Sequence, residues 1–252
     1  NGAGVDGNLA AFKLGCWLAH DMHSVKEMME SGTHKDLIKN DFNSIFEFRA
    51  KRLVEYQNLK LAKKYRVLVN TAKEKNIEFG LAVAKGYFKL LAYKDEYEVA
   101  RLHSKYLKTL LKSEFLSYRK ISFSMSPPLL ARKLQDGRTK KVTFGAWMLT
   151  ILRLLAKGKI LRGSVLDIFG YSKERRCERE LISEYEKDIQ QLIVAYSETV
   201  HRLVIDRALL PLKINGFGVV KERAVLECEI ERQKLMIAVK NPDPEKHLVA
   251  AE

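Results

Sequence analysis

Acidic and basic residues crowd into two stretches of this chain, AYKDEYEVARLH (Ala92–His103) and LRGSVLDIFGYSKERRCERELI (Leu161–Ile182). The first sets Lys94, Asp95 and Glu96 side by side, and the second offers Arg162, Asp167, Arg175 and Arg176. Arginines near backbone N–H groups at a helix start can hold a carboxylate or a phosphate. They can equally tie down a long loop through salt bridges to Asp167 or Asp95. Read as helix, Tyr93, Tyr97 and Ala100 or Arg101 share one face, and Lys94 and Glu98 form an i,i+4 pair of opposite charge. A third cluster, FSMSPPLL, places Ser124 and Ser126 before two prolines, which reads as a rigid turn and not as a nucleophile.

No recognised catalytic template is complete. The chain has no GxGxxG, no Walker loop, no GxSxG and no HExxH. His20 and His23 could share a helix face but lack a third ligand nearby, and His103 and His201 read as satisfied helix histidines. Cys16, Cys177 and Cys228 lie far apart without a CxxC, which argues against a disulfide framework, a zinc site or an iron–sulfur cluster held by this chain alone. Reduced, partly buried thiols in a cytoplasmic protein are the expectation.

The elements that must carry these clusters follow from periodicity. With 252 residues, 46% hydrophobic and 30% charged, the chain has a soluble globular balance, and no apolar run approaches a membrane span. The N-terminus shows no signal pattern, and the opening Asn1 suggests a segment of a longer protein. Val5 to His20 reads as a short amphipathic helix. Asp36 to Lys75, without Pro or Gly, reads as one long helix or two nearly continuous ones, with an apolar stripe of Val54, Leu61, Tyr65, Leu68 and Ala72. Arg52, Lys60 and Lys63 fall on the opposite side.

Helix is expected again from Ile77 to His103, interrupted near Gly86, and from Lys105 to Tyr118. Ile121, Phe123 and Met125 alternate with serines, a strand stopped by Pro127-Pro128, and Val142 and Phe144 suggest its partner after an Asp136-Gly137 turn. Helix resumes over Trp147–Ala156. A helix capped by Ser172 then carries Leu181, Tyr185, Ile189, Leu192 and Tyr196. Pro211 and Gly216-Phe217-Gly218 break the chain before a last helix, Val220–Val239. The fold class is mainly α: a multi-helix domain with long helices and a small two-stranded β insertion. Residues 1–22 and 23–252 are expected to be separate units.

Charge restricts the partners. The net charge is +14, and nine basic residues between Arg49 and Lys75 face only Glu55 and Glu74. Eleven more lie between Arg101 and Lys141 against Glu114 and Asp136. Such a field attracts nucleic acid, an acidic protein or an anionic cofactor. A non-enzymatic, basic helical nucleic-acid-binding or protein-docking module is the alternative reading; against nucleic acid, the strand pair offers no aromatic stacking platform and no helix has a recognition-helix turn motif.

YKDEYEVARLH, FSMSPPLLAR, FGAWM, LRGSVLDIFGYSKERRCERELI and GFGVVKE occur in an order similar to the C-terminal domain of indolepyruvate ferredoxin oxidoreductase, in its long fused bacterial form. NGAGVDGNLAAFKLGCWLAHD resembles the closing segment of that enzyme's gamma-type domain. The resemblance implies a parent that oxidatively decarboxylates an arylpyruvate. It would use thiamine diphosphate and magnesium, pass electrons through iron–sulfur clusters to ferredoxin, and release an acyl-CoA. None of these cofactors is expected in this chain, so the chain alone should be inactive.

Lys94, Asp95, Glu96, Ser124, Arg162, Asp167, Arg175 and Arg176 are then expected to form a substrate or interface network with the remaining domains or subunits. Arg52, Lys60 and Lys63 would offer a docking face to ferredoxin. Three positions depart from the family's pattern. Ser124 stands where its histidine is expected, Ala146 where FGPWM has proline, and Ile168 where LDPFG has proline. Ser124 cannot take a proton near neutral pH as imidazole does.

Overall fold

The computed structural model describes residues 5–21, 41–115, 117, 119–125, 141–216 and 218–242. The chain divides into two units, Asn1–Ser44 and Ile45–Glu252. The boundary expected after residue 22 lies outside the described residues, as do His23, Pro127-Pro128, the Asp136-Gly137 turn and Phe217.

In the first unit, α1 (Val5–His20) leaves Leu9, Phe12 and Trp17 exposed. Asp41 caps the next helix, its carboxylate accepting from Ser44 N at 2.9 Å and Ser44 Oγ at 2.7 Å.

The expected mainly helical fold with a small β insertion is present. The helices are α2 (Phe42–Tyr56), α3 (Leu59–Lys75), α4 (Ile77–Leu91), α5 (Glu96–Glu114), α6 (Met148–Lys157), α7 (Lys173–Ala195), α8 (His201–Leu209) and α9 (Val219–Lys240). Short 3-10 turns at Gly158–Leu161, Glu198–Val200 and Leu210–Lys213 adjust the path between them. Strands β1 (Phe123–Met125) and β2 (Val142–Phe144) pair antiparallel with Phe123 opposite Phe144.

The long Pro- and Gly-free stretch breaks at Gln57-Asn58 because Asn58 caps α3, accepting from Leu61 N at 2.9 Å. Asn76 serves two helices. Its N–H closes α3 on Ala72 O, while its side chain accepts from Glu78 N at 2.7 Å to open α4.

The interruption expected at Gly86 lies instead at Ala92–Asp95, and one continuous α5 replaces the two helices expected there. Gly86 sits inside α4 for a tertiary reason: a Cβ there would lie 1.9 Å from Ala208 O and 2.8 Å from the Tyr185 hydroxyl. Glycine lets α4 and α8 meet backbone to backbone. Gly86→Ala is therefore expected to destabilise by about 1–3 kcal/mol, despite alanine's better helix propensity. Urea unfolding would measure it, and unchanged stability would show that α4 and α8 part easily.

The core is ordered around a column of rings. Phe46, Tyr65, Tyr87 and Tyr185 stack in series, with centroids 5.8, 6.1 and 5.7 Å apart. Their hydroxyls are paired: Tyr65 and Tyr185 donate to Ala84 O and Ala208 O, and Tyr87 to Glu186 at 2.5 Å. Polar tips thus enter the core without orphaned donors. Of the stripe expected along α2 and α3, Tyr65, Leu68 and Ala72 are buried, with Val54 and Leu61 at the margin. A second, smaller core joins Ala100 of α5, Phe123 of β1, and Met148 and Leu152 of α6. The hairpin therefore packs on α5 and α6, and the candidate site forms beside it.

Candidate functional site

The turn between α4 and α5 is the keystone of the site. Asp95 caps α5 by accepting from Glu98 N at 2.8 Å. The helix consequently begins after Tyr93 and Lys94, so neither shares the helical face with Tyr97 that the sequence suggested. Glu98 bonds Arg101 at 2.7 and 2.8 Å.

The Asp95 carboxylate also receives Arg162 side-on, Nε to Oδ2 at 2.5 Å and Nη2 to Oδ1 at 2.8 Å. The remaining guanidinium edge donates from Nη1 to Tyr56 O at 2.9 Å, and the plane lies over the Tyr56 ring at 3.7 Å. Both charged side chains are almost wholly buried. Burial opposes the Arg162 charge, but the Asp95 hydrogen bonds outweigh it and raise the guanidinium pKa. Such a fork-to-carboxylate pair fixes geometry as well as charge.

Asp167 anchors the loop that follows Arg162. Its oxygens accept from Gly163 N at 2.8 Å, Gly170 N at 3.1 Å and the Tyr97 hydroxyl at 3.2 Å, and among the described residues no arginine pairs with it. Burial, then Asp167, push the Tyr97 phenol up to about 12, so it remains the donor. Gly163, at φ 76°, supplies the left-handed turn the loop needs. Phe169 meets the Tyr97 ring edge-on.

Ser172 caps α7 as expected, accepting from Arg175 N at 3.3 Å. The Arg175 side chain donates to Lys94 O at 3.3 Å, approaches Glu96 at 3.6 Å and Glu178 at 3.9 Å, and lies over Tyr93. Glu178 is also paired with Lys221 of α9. Oε2 of Glu96, the oxygen that faces Arg175, is buried without a hydrogen-bond partner among the described residues.

Beside this network lies an apolar cleft of about 800 Å³. Phe123, Met125, Phe144, Trp147, Ile151 and Leu155 line its body, with Lys94, Glu96 and Arg175 at one end and Ser124 and His103 on its walls. Phe123 receives the His103 ring edge-on.

Of the expected network, Lys94, Asp95, Glu96, Arg162, Asp167 and Arg175 come together, and Ser124 faces the same cleft. Arg176 stands exposed on α7, because the turn after Ser172 directs Arg175 inward instead. Lys60 and Lys63 are exposed on α3. Arg52 is engaged with Glu55 at 3.3 Å, the Tyr106 hydroxyl at 3.4 Å and the Phe48 ring. Tyr56, Glu178 and Lys221 were not foreseen, since their partners lie too far along the chain for spacing to reveal them.

The arrangement can position an apolar body beside fixed charges. Among the described residues no three His, Cys, Asp or Glu side chains stand together as a metal site. Cys16, Cys177 and Cys228 sit on different helices, exposed, half-buried and buried. His201 bonds Tyr196 at 2.9 Å and Glu78 at 3.2 Å. Among the described residues no helix is long and apolar enough to cross a membrane.

Fold and site together define a helical domain in which a buried ion-pair network braces an apolar cleft. The chain belongs to DUF6537, a family of unknown function, whose profile matches residues 42–234. No curated protein and no solved structure matches the chain.

Proposed function

We propose that this chain is an accessory C-terminal domain of a cytoplasmic, thiamine diphosphate-dependent indolepyruvate (arylpyruvate):ferredoxin oxidoreductase, with the end of a gamma-type domain preceding it. One observation carries the reading. Segments similar to that enzyme and distant from one another in sequence converge on one cleft: Lys94 to His103, Phe123 to Met125, Phe144 to Met148, and Phe169 with Arg175. The fifth similar segment joins through Lys221, which holds Glu178 beside Arg175.

On this reading thiamine diphosphate, magnesium and the iron–sulfur clusters belong to other domains of the parent. The chain contributes a rigid wall. Arg162 and Asp167 fix the loop, Arg175 and Glu96 present charge at the cleft's end, and the aromatic lining excludes water from whatever closes against it. Ferredoxins are typically acidic, and the exposed Lys60 and Lys63 would steer such a partner.

Turnover by the full-length parent tests the proposal, assayed anaerobically with thiamine diphosphate, magnesium, CoA and ferredoxin. Activity with indolepyruvate and phenylpyruvate over pyruvate is expected, with the ferredoxin-dependent rate falling as salt rises. Asp95→Lys in the same protein should lower activity or assembly. A cluster-loaded parent inactive with all three acids would remove the reading.

A further inference from the structure

The last helix, α9, is apolar on two sides. Its inner side packs on α7, α8 and the Leu210–Lys213 turn, burying Cys228 and Val239. Its outer side exposes Val219, Leu226, Ile230 and Ile237 to 74, 64, 50 and 62%. A helix that meets solvent along one face ordinarily keeps that face polar. These four residues recur at steps of seven, four and seven, the a and d positions of a heptad seam. Arg223 and Gln233, both exposed, complete the seam.

The order of these residues indicates what covers them. Val219, Arg223, Leu226, Ile230, Gln233 and Ile237 step by 4, 3, 4, 3 and 4, and read apolar, polar, apolar from either end. Rotation by 180° at the level of residue 228 maps the pattern onto itself. Two copies packed antiparallel therefore match every layer: Val219 against Ile237, Leu226 against Ile230, and Arg223 against Gln233. A parallel pair would instead set Arg223 against Arg223, two like charges in the seam. Antiparallel packing also opposes the two helix dipoles favourably. A self-complementary patch is what a two-fold dimer requires.

We propose that α9 docks a second copy of this chain, antiparallel, about a two-fold axis level with residue 228. Its 22 residues make a seam about 33 Å long, short for free peptides. Here the helix is already ordered. Lys221 is tied to Glu178, Arg232 to Asp188, and Glu231 to Lys213. Little ordering entropy is left to oppose association. The contact uses no residue of the cleft and stands independently of the oxidoreductase reading.

Sedimentation of the 252-residue chain from low to high micromolar concentration tests it. A species of twice 29.0 kDa is expected. Ile230→Lys should weaken self-association by about tenfold or more with an unchanged helical circular dichroism spectrum. Val194→Lys, at an exposed site on α7, should leave the dimer intact. On a Cys16→Ser background, Leu226→Cys mixed with Ile230→Cys should cross-link between the two variants more readily than either does with itself. A chain monomeric throughout, a dimer indifferent to Ile230→Lys, or self-coupling of Leu226→Cys that matches the mixture would each overturn the proposal.

Discussion

Arg162→Ala is expected to destabilise the protein by about 3–5 kcal/mol, because it strands the buried Asp95 carboxylate. Asp95 keeps its bond from Glu98 N but loses both guanidinium donors at 2.5 and 2.8 Å. Tyr56 loses a donor on its carbonyl and the cation over its ring. For a domain of this size each kcal/mol is worth roughly 2–4 °C, so the melting temperature should fall by about 10 °C.

Two companions separate charge from shape. Asp95→Asn retains a good N-cap while removing the negative charge, and should also cost several kcal/mol by leaving Arg162 buried and uncompensated. Arg162→Lys should recover little, since an ammonium cannot make the side-on pair or stack as guanidinium does. Denaturant unfolding checks all three. A loss below about 1 kcal/mol for Arg162→Ala would show the pair to be solvated, as exposed pairs are. The loop between α6 and α7 would then not be a preorganised wall.

Asp188→Asn should be comparably costly near neutral pH, and its cost should fade in acid. Asp188 lies at the crossing of α7, α8 and α9. It accepts from Arg207 at 2.9 and 2.7 Å and from Arg232 at 2.5 and 3.0 Å. Burial raises its pKa, yet the Arg232 and Arg207 contacts outweigh burial and hold it below its ordinary 3.8. A carboxylate whose folded pKa is depressed contributes stability above its unfolded value and loses it as pH falls through the folded one. The stabilisation should therefore be fully present from pH 7 to about 5 and decline below 3.8.

Removing the charge strips the buried Arg207 of its Asp188 partner, while Arg232 keeps Glu229 at 2.8 Å. About 3–5 kcal/mol is expected at pH 7. Unfolding free energies of wild type and variant across acid and neutral pH measure the difference. If the gap at pH 3 equals that at pH 7, the protonation of Asp188 does not contribute to acid sensitivity.

Local signals were legible in the sequence wherever cause and effect lie within a few residues. Ser172 capping α7, the alternation that makes β1, and the buried line of Tyr185, Ile189 and Leu192 all follow from spacing and side-chain chemistry. Helix breaks are less legible. The glycine that suggested a break, Gly86, marks a close approach of α8. The real break was encoded by Asp95, whose short side chain satisfies an N–H at the start of α5.

The site divides in the same way. That an arginine of the second stretch would bond Asp95 or Asp167 was legible from residue type, while the wider network with Lys94, Glu96 and Arg175 was expected from the resemblance. Which carboxylate each arginine takes was decided by packing. Arg162 pairs across 67 residues with Asp95, while Asp167, five positions away from it, is satisfied by backbone N–H groups and Tyr97. Helical periodicity, the alternation of the strands and the excess of positive charge can be read from the chain itself, because each depends on residues close along it. Only the tertiary structure decided the ring column, the pairing of buried charges and the cleft, because those depend on which helix faces meet.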